Sequence, residues 1–215
     1  MFNFFNSKTY FPITGICFLS VIILSGCAAS YTPIKPEARK YTSAYNAPDS
    51  SISYAYKYDV LSLMGNKRYS KRERKAGLSV LSARIQNNTD SAIAGSNLKV
   101  FVGNNQVIPV SNQVAANNLK QTVWPYLFYA LLNLRLSQGV KIDNGRIEEE
   151  FIIIPIGIPI AVGNMIGAGS ANVNLRKEFM QYDIMNKSIK PHETTYGIIV
   201  LQGLDHQPVH LELSK

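Results

Sequence analysis

Ile52-Ser53-Tyr54-Ala55-Tyr56-Lys57-Tyr58-Asp59-Val60 decides how the rest of the chain is read. Apolar or aromatic side chains at every second position alternate with Ser53, Ala55, Lys57 and Asp59, the period of a β-strand with one aromatic face. Folded structure is therefore expected from residue 51 or 52 onward. The next run, Gly65 to Lys75, holds six cations and one acid. It is read as a solvated loop or a short helix outside the core. Leu78 to Ile85 follows as a strand with Leu81, Ala83 and Ile85 on one side, closed by the turn residues Asn87-Asn88-Thr89-Asp90. Leu98 to Val102 and Val107 to Val110 flank Gly103-Asn104-Asn105 as a hairpin. Thr195 to Leu201 and Val209 to Leu213 read as a further pair around Gly203-Leu204-Asp205-His206. Short strands with turn signals at this spacing predict a mainly β fold, an antiparallel β-sandwich.

Two strings carry a more specific likeness: Leu81-Ser82-Ala83-Arg84-Ile85-Gln86-Asn87-Asn88-Thr89-Asp90, and Ile189-Lys190-Pro191-His192-Glu193-Thr194-Thr195-Tyr196-Gly197-Ile198-Ile199-Val200. Together they resemble the paired strands of immunoglobulin-like domains in uncharacterised bacterial envelope lipoproteins. One strand ends in an Asn-rich turn, and a later one is introduced by a Pro-x-Glu-Thr turn with Gly shortly after. His192 stands where Gly is more common. The resemblance covers about a third of the mature chain and implies a fold with no activity attached.

Between these β segments lies an apolar insertion, expected to be α-helical and to interrupt the sandwich near 118–180. Thr122 to Leu136 is aromatic and aliphatic with helical spacing, and Pro125 suits a first turn. Gly139 to Glu150 is polar, with a turn at Asp143-Asn144-Gly145. Phe151 to Ala171 has no charge over 21 residues. That length can span a bilayer, but Pro155, Gly157 and Pro159 oppose one regular helix. A helix from near Pro159 past Arg176 would carry Gly163, Gly167 and Ala171 at four-residue spacing, a smooth stripe for close helix packing. Three readings stay open: a buried helical insertion packed on the sandwich, an oligomerising or membrane-touching helical hairpin, and a true span.

Towards the N-terminus, Ala28 to Ser50 is rich in Ser, Thr, Ala, Pro and Tyr, and residues 27–50 read as a flexible tether. Before it, residues 1–26 carry one charge, Lys8, and an apolar stretch from Ile13 to Leu24 too short to cross a bilayer comfortably. Leu24-Ser25-Gly26-Cys27 resembles the lipobox of bacterial lipoproteins. The resemblance implies cleavage of a 1–26 signal peptide, acylation of Cys27 and anchoring in a membrane by lipid. Ala28 after the cysteine implies, by resemblance to enteric lipoproteins, the outer membrane, with the protein facing the periplasm.

The chain's two cysteines are Cys17 and Cys27, so a cleaved and acylated product has no free thiol for a disulfide, a thiolate metal site or a nucleophile. The net charge of +8 becomes +7 once Lys8 leaves. It favours anionic partners, which in the envelope are lipid head groups and glycans rather than nucleic acid. Lys67, Arg68, Lys71, Arg72, Arg74 and Lys75 are the candidate anionic-surface residues. His206 and His210 beside Asp205, and His192 beside Glu193, could suggest metal ligands, but Pro208 breaks the register and a third ligand is missing. Glu148-Glu149-Glu150 reads as a solvated acidic face. No cofactor, metal or catalytic motif is found. The expectation is a non-enzymatic binding or structural module, with homo-oligomerisation or an envelope protein partner, the alternative being a cell-wall or glycan hydrolase with an unrecognised site.

Overall fold

The computed structural model describes residues 28–41, 44–143, 146–203 and 206–214. It divides into two compact units, one of Ala29–Thr122 with Ala168–Lys215 and one containing Val123–Gly167. Residues 1–26, read as a signal peptide, and Cys27, read as the lipidation site, lie outside the described residues.

The larger unit contains strands β1 (Tyr45–Asn46), β2 (Ile52–Lys57), β3 (Leu78–Asn87), β4 (Ile93–Ala94), β5 (Leu98–Val102) and β6 (Asn105–Val107). Its helices are α1 (Val60–Leu63), α2 (Lys67–Lys75) and α3 (Asn112–Leu119). The smaller unit contributes β7 (Leu134–Asp143) and β8 (Arg146–Ile154), and α4 (Gly157–Gln181) begins in it and ends in the larger one. Strands β9 (Ser188–Ile189), β10 (Thr194–Gln202) and β11 (Val209–Leu213) complete the chain. With 35% helix and 35% strand the fold is mixed, which corrects the expectation of a mainly β protein. The surplus is helical: α2 was open between loop and helix, and α3 fell in a stretch given no element.

All sheet pairings are antiparallel, in the orders β1-β2-β3-β10, β11-β5-β6, β4-β9 and β7-β8. The strands bearing the immunoglobulin-like likeness pair directly, from Thr194 opposite Gln86 to Gln202 opposite Leu78. The hairpin expected around Gly103 is present as β5–β6, with its second strand at Asn105–Val107 rather than Val107–Val110. The pair expected around Gly203 is not: β10 joins β3, while β11 crosses to β5. Burial accounts for the separation, because β10 is apolar on both faces and needs cover above and below.

Alternation divides those faces. Leu81, Ala83, Ile85, Ile199 and Leu201 share one buried cluster with Leu98, Val100, Val209 and Leu211 of the three-stranded sheet. Leu78, Val80, Ile198 and Val200 share the other with Leu61, Tyr69, Leu119, Leu175 and Phe179 of the helices. The large sheet thus has strands on one side and helices on the other. The aromatic face read from 52–60 is built as a ladder: Tyr45 stacks on Tyr54 and Tyr56, and Tyr58 stacks on His206. The Tyr56 hydroxyl accepts from the Val209 N–H, and Tyr58 donates to the Gln207 carbonyl.

The tether reading of 27–50 gives way at 45–47, where β1 pairs with β2 and Ala47 is buried, and over residues 31–36. Tyr31 and Ile34 lie in the helix-side core. The reason is the buried Glu178 of α4, whose carboxylate accepts from the Tyr31 hydroxyl and from the N–H groups of Ile34 (2.9 Å) and Lys35 (2.7 Å). A carboxylate with several donors can be kept in a protein interior where a bare one cannot. Burial and the neighbouring Glu178 carboxylate push the Tyr31 phenol upward, so it stays a proton donor.

Candidate functional site

The Val123–Gly167 unit opens with a 3-10 helix, Trp124–Leu131, with Pro125 in its first turn. The helical reading of Thr122 to Leu136 therefore holds only in part, since the chain is extended from Leu134. The two-residue alternation of Leu134, Leu136 and the residues beyond it lay across the end of the aromatic window. The polar stretch from Gly139 to Glu150, read only for its turn, is most of a long hairpin; Asn144 and Gly145 lie outside the described residues. Its register runs from Leu134 opposite Ile154 to Asp143 opposite Arg146, with a bulge at Gln138 next to Gly139, where glycine tolerates the irregular backbone (φ 150°). The insertion is thus not purely helical, and a bilayer span fails as one helix because Phe151 to Ile154 is strand. Among the described residues no helix is long and apolar enough to cross a membrane.

The hairpin is tied to its flanks at Gly157, whose N–H donates to the Leu132 carbonyl at 2.9 Å. A Cβ there would lie 1.9 Å from the Tyr129 carbonyl oxygen, so no other residue fits without displacing backbone. Tyr126 is buried and stacks on Tyr129. Most remaining apolar side chains are in solvent. Trp124 is 72% exposed, Phe128 76%, Leu131 75%, Ile142 76% and Ile147 74%.

Strand periodicity places Leu134, Leu136, Ile152 and Ile154 on one face of the hairpin, and Val140, Ile142, Ile147, Phe151 and Ile153 on the other. All of these are exposed. Both faces therefore carry apolar side chains that remain exposed among the described residues, because a two-stranded sheet has no second layer of its own. The Arg135 guanidinium lies 4.3 Å from the Phe151 ring centroid, and Lys141 pairs with Glu150 across the strands. An exposed patch of this extent is the signature of an interaction surface in a folded protein.

The basic residues fall on α2, with Lys67, Arg68, Lys71, Arg74 and Lys75 exposed and Arg72 half-buried. Arg72 donates to the Thr122 hydroxyl and Arg74 to Ser70. The run is not wholly outside the core, since Tyr69, Ser70 and Glu73 on its inner face are buried. Glu73 accepts from the Val80 N–H at 2.7 Å, and burial raises its carboxyl to about 7. The stripe of Gly163, Gly167 and Ala171 is not one open face. Gly163 is exposed and Gly167 half-buried, whereas Ala171 belongs to the helix-side core with Tyr69 and Leu175.

The histidines have separate partners. His192 contacts Asp90 at 3.0 Å, His206 lies 3.6 Å from Asp59, and His210 sits opposite Phe101 in β11; Asp205 is outside the described residues. Glu193 accepts from the Lys190 N–H instead. Among the described residues no group of three or more His, Cys, Asp or Glu is arranged to hold a metal ion. Sequence reasoning missed Glu178, which sits in a helical stretch without any local signal of its distant partners. It also missed the charge difference between the two hairpin strands, visible only once the pairing is known. No family model matches the chain, and neither a curated protein nor a solved structure is found similar to it, so its function is argued from the apolar unit itself.

Proposed function

We propose that this chain is a lipid-anchored protein of the bacterial cell envelope and works as a non-enzymatic binding or structural module. The exposed apolar surface of Val123–Gly167 carries the reading. Acylated Cys27 is the anchor, in the outer membrane and facing the periplasm, as the lipobox resemblance implies. The larger unit is the scaffold, an immunoglobulin-like sandwich covered on one side by helices; the apolar cluster shared by its two sheets supports this. The apolar unit makes the functional contact, by self-association or with an envelope protein or membrane. The cations of α2 add attraction to anionic lipid or glycan.

The test uses the full chain in bacterial membranes. A clickable fatty acid labels the wild type and leaves Cys27→Ser unlabelled. Replacing Phe128, Leu131, Ile142 and Ile147 with Ser leaves labelling and the thermal transition intact but abolishes the wild-type assembly on native gels. Equal labelling of Cys27→Ser defeats the anchor. A serine variant that migrates and co-purifies as the wild type does defeats the contact.

A further inference from the structure

We infer that copies of this chain join through their hairpins, β7 of one pairing antiparallel with β8 of the next, so that a continuous β-meander grows from copy to copy. The inference rests on the proposed role of the apolar unit and names its partner: a second copy.

The hairpin is a two-stranded sheet, so the outer edges of β7 and β8 present backbone N–H and C=O groups with no strand among the described residues to receive them. Isolated two-stranded ribbons are marginal in water, and strands of nine and ten residues that are apolar on both faces gain most from further strands. Many natural edges are blunted by Pro or by short strands. Neither β7 nor β8 contains Pro, and neither is short; β7 has one bulge, at Gln138, and both strands carry charges, which also blunt an edge unless the partner's charges are opposite.

Charge selects which edges meet. Apart from Asp143 and Arg146, which face each other at the tip, β7 carries two cations and no acid, Arg135 and Lys141. The corresponding part of β8 carries three acids and no cation, Glu148, Glu149 and Glu150. A β8–β8 pairing centred on Glu149 would set glutamate against glutamate. A β7–β7 pairing centred on Gln138 would set Arg135 against Lys141. Both two-fold arrangements therefore place like charges opposite one another, which destabilises an antiparallel pair. The β7–β8 pairing repeats between copies the attraction already present within one hairpin, where Lys141 bonds Glu150. Such a contact is heterologous: an open series keeps two free edges, one at each end, until it closes into a ring. Lipid anchoring on a common surface favours this by raising the local concentration of copies.

The test measures the mass of the full chain, extracted from membranes in mild detergent, by light scattering. Two charge-reversed variants are compared with the wild type: Arg135→Glu with Lys141→Glu, and Glu148→Lys with Glu149→Lys and Glu150→Lys. The first has two acidic edges and the second two basic ones. The wild type is expected at a multiple of the chain mass, and each variant alone at the mass of one chain. Co-expression of the two restores the multiple, with both differently tagged chains in the same particle. Variants that keep the wild-type mass overturn edge pairing while leaving the apolar contact standing. Variants that fall to one chain and are not restored by co-expression overturn it as well, since misfolding rather than charge then explains the loss. A wild type at the mass of one chain overturns it too, and the serine variants then decide separately whether the apolar unit contacts membrane or another protein.

Discussion

In the unit of Ala29–Thr122 and Ala168–Lys215, isoleucine, leucine and valine side chains are closed into two clusters on opposite faces of one sheet. In Val123–Gly167, side chains of the same kind stand in solvent on both faces of another. Composition does not separate the two cases. The number of layers does: the four-stranded sheet has a three-stranded sheet on one side and helices on the other, whereas the hairpin is a single pair of strands. Apolar residues in a strand therefore leave undetermined whether the same chain supplies a layer to cover them.

Matched substitutions give the largest expected difference. Phe179 is fully buried beneath the large sheet, while Phe128 is 76% exposed in the apolar unit. Phe179→Ala should lower the unfolding free energy by about 3–5 kcal/mol, from lost burial and an unfilled cavity. Phe128→Ala should change it by less than about 0.5 kcal/mol, as surface substitutions do. Urea unfolding of the dispersed protein, followed by far-ultraviolet circular dichroism, measures both. Similar losses from the two would mean that Phe128 is covered, and the contrast between the units would fall.

A second contrast is between carboxylates. Glu149 and Glu150 of the hairpin are exposed, whereas Glu73 is buried behind α2 with its carboxyl raised to about 7. The ordinary value is 4.5. Between those two values the folded chain holds a proton that the unfolded chain has released, so stability falls as pH rises through this window. The full swing from this group is of order 3 kcal/mol. Denaturation midpoints at pH 5 and pH 8 should thus differ more in the wild type than in Glu73→Gln, which keeps an oxygen for the Val80 N–H. An unchanged difference in the variant would remove Glu73 as the cause.

Much of the larger unit was legible because its strands alternate cleanly and its turns carry their own chemistry. Asn87 is an example: its side chain donates to the carbonyls of Ser91, Ile189 and Lys190 and accepts from Thr89, pinning the turn that the Asn-rich string marks. Partner choice was less legible. Nothing local tells β11 to join β5 rather than β10, since the choice depends on which faces remain to be covered. The helix α3 had a signal that went unread, Ser111, whose hydroxyl caps the N–H of Val114. Glu178 had none, because its donors lie more than 140 residues away. In the candidate site, the break at Pro155 to Pro159 and the helix after it were visible in the uncharged run, but the strand that ends at Ile154 was not. The end of the hairpin and the start of the helix are equally apolar.

The smallest expected effect tests how firmly turn chemistry holds the larger unit. His192 lies in the turn leading into β10 and has φ 58°, in the left-handed region where a side chain costs about 1 kcal/mol and glycine does not. His192→Gly removes the strain but also the contact with Asp90 and adds freedom to the unfolded chain. The contact lies between exposed groups and is worth little. The balance should favour glycine by a few tenths of a kcal/mol up to about 1. Salt screens what the histidine contributes, so the gain should be at least as large at about 1 M salt as at low ionic strength. A variant less stable than the wild type at both would mean that the Asp90 contact, rather than the backbone, fixes the entry to β10.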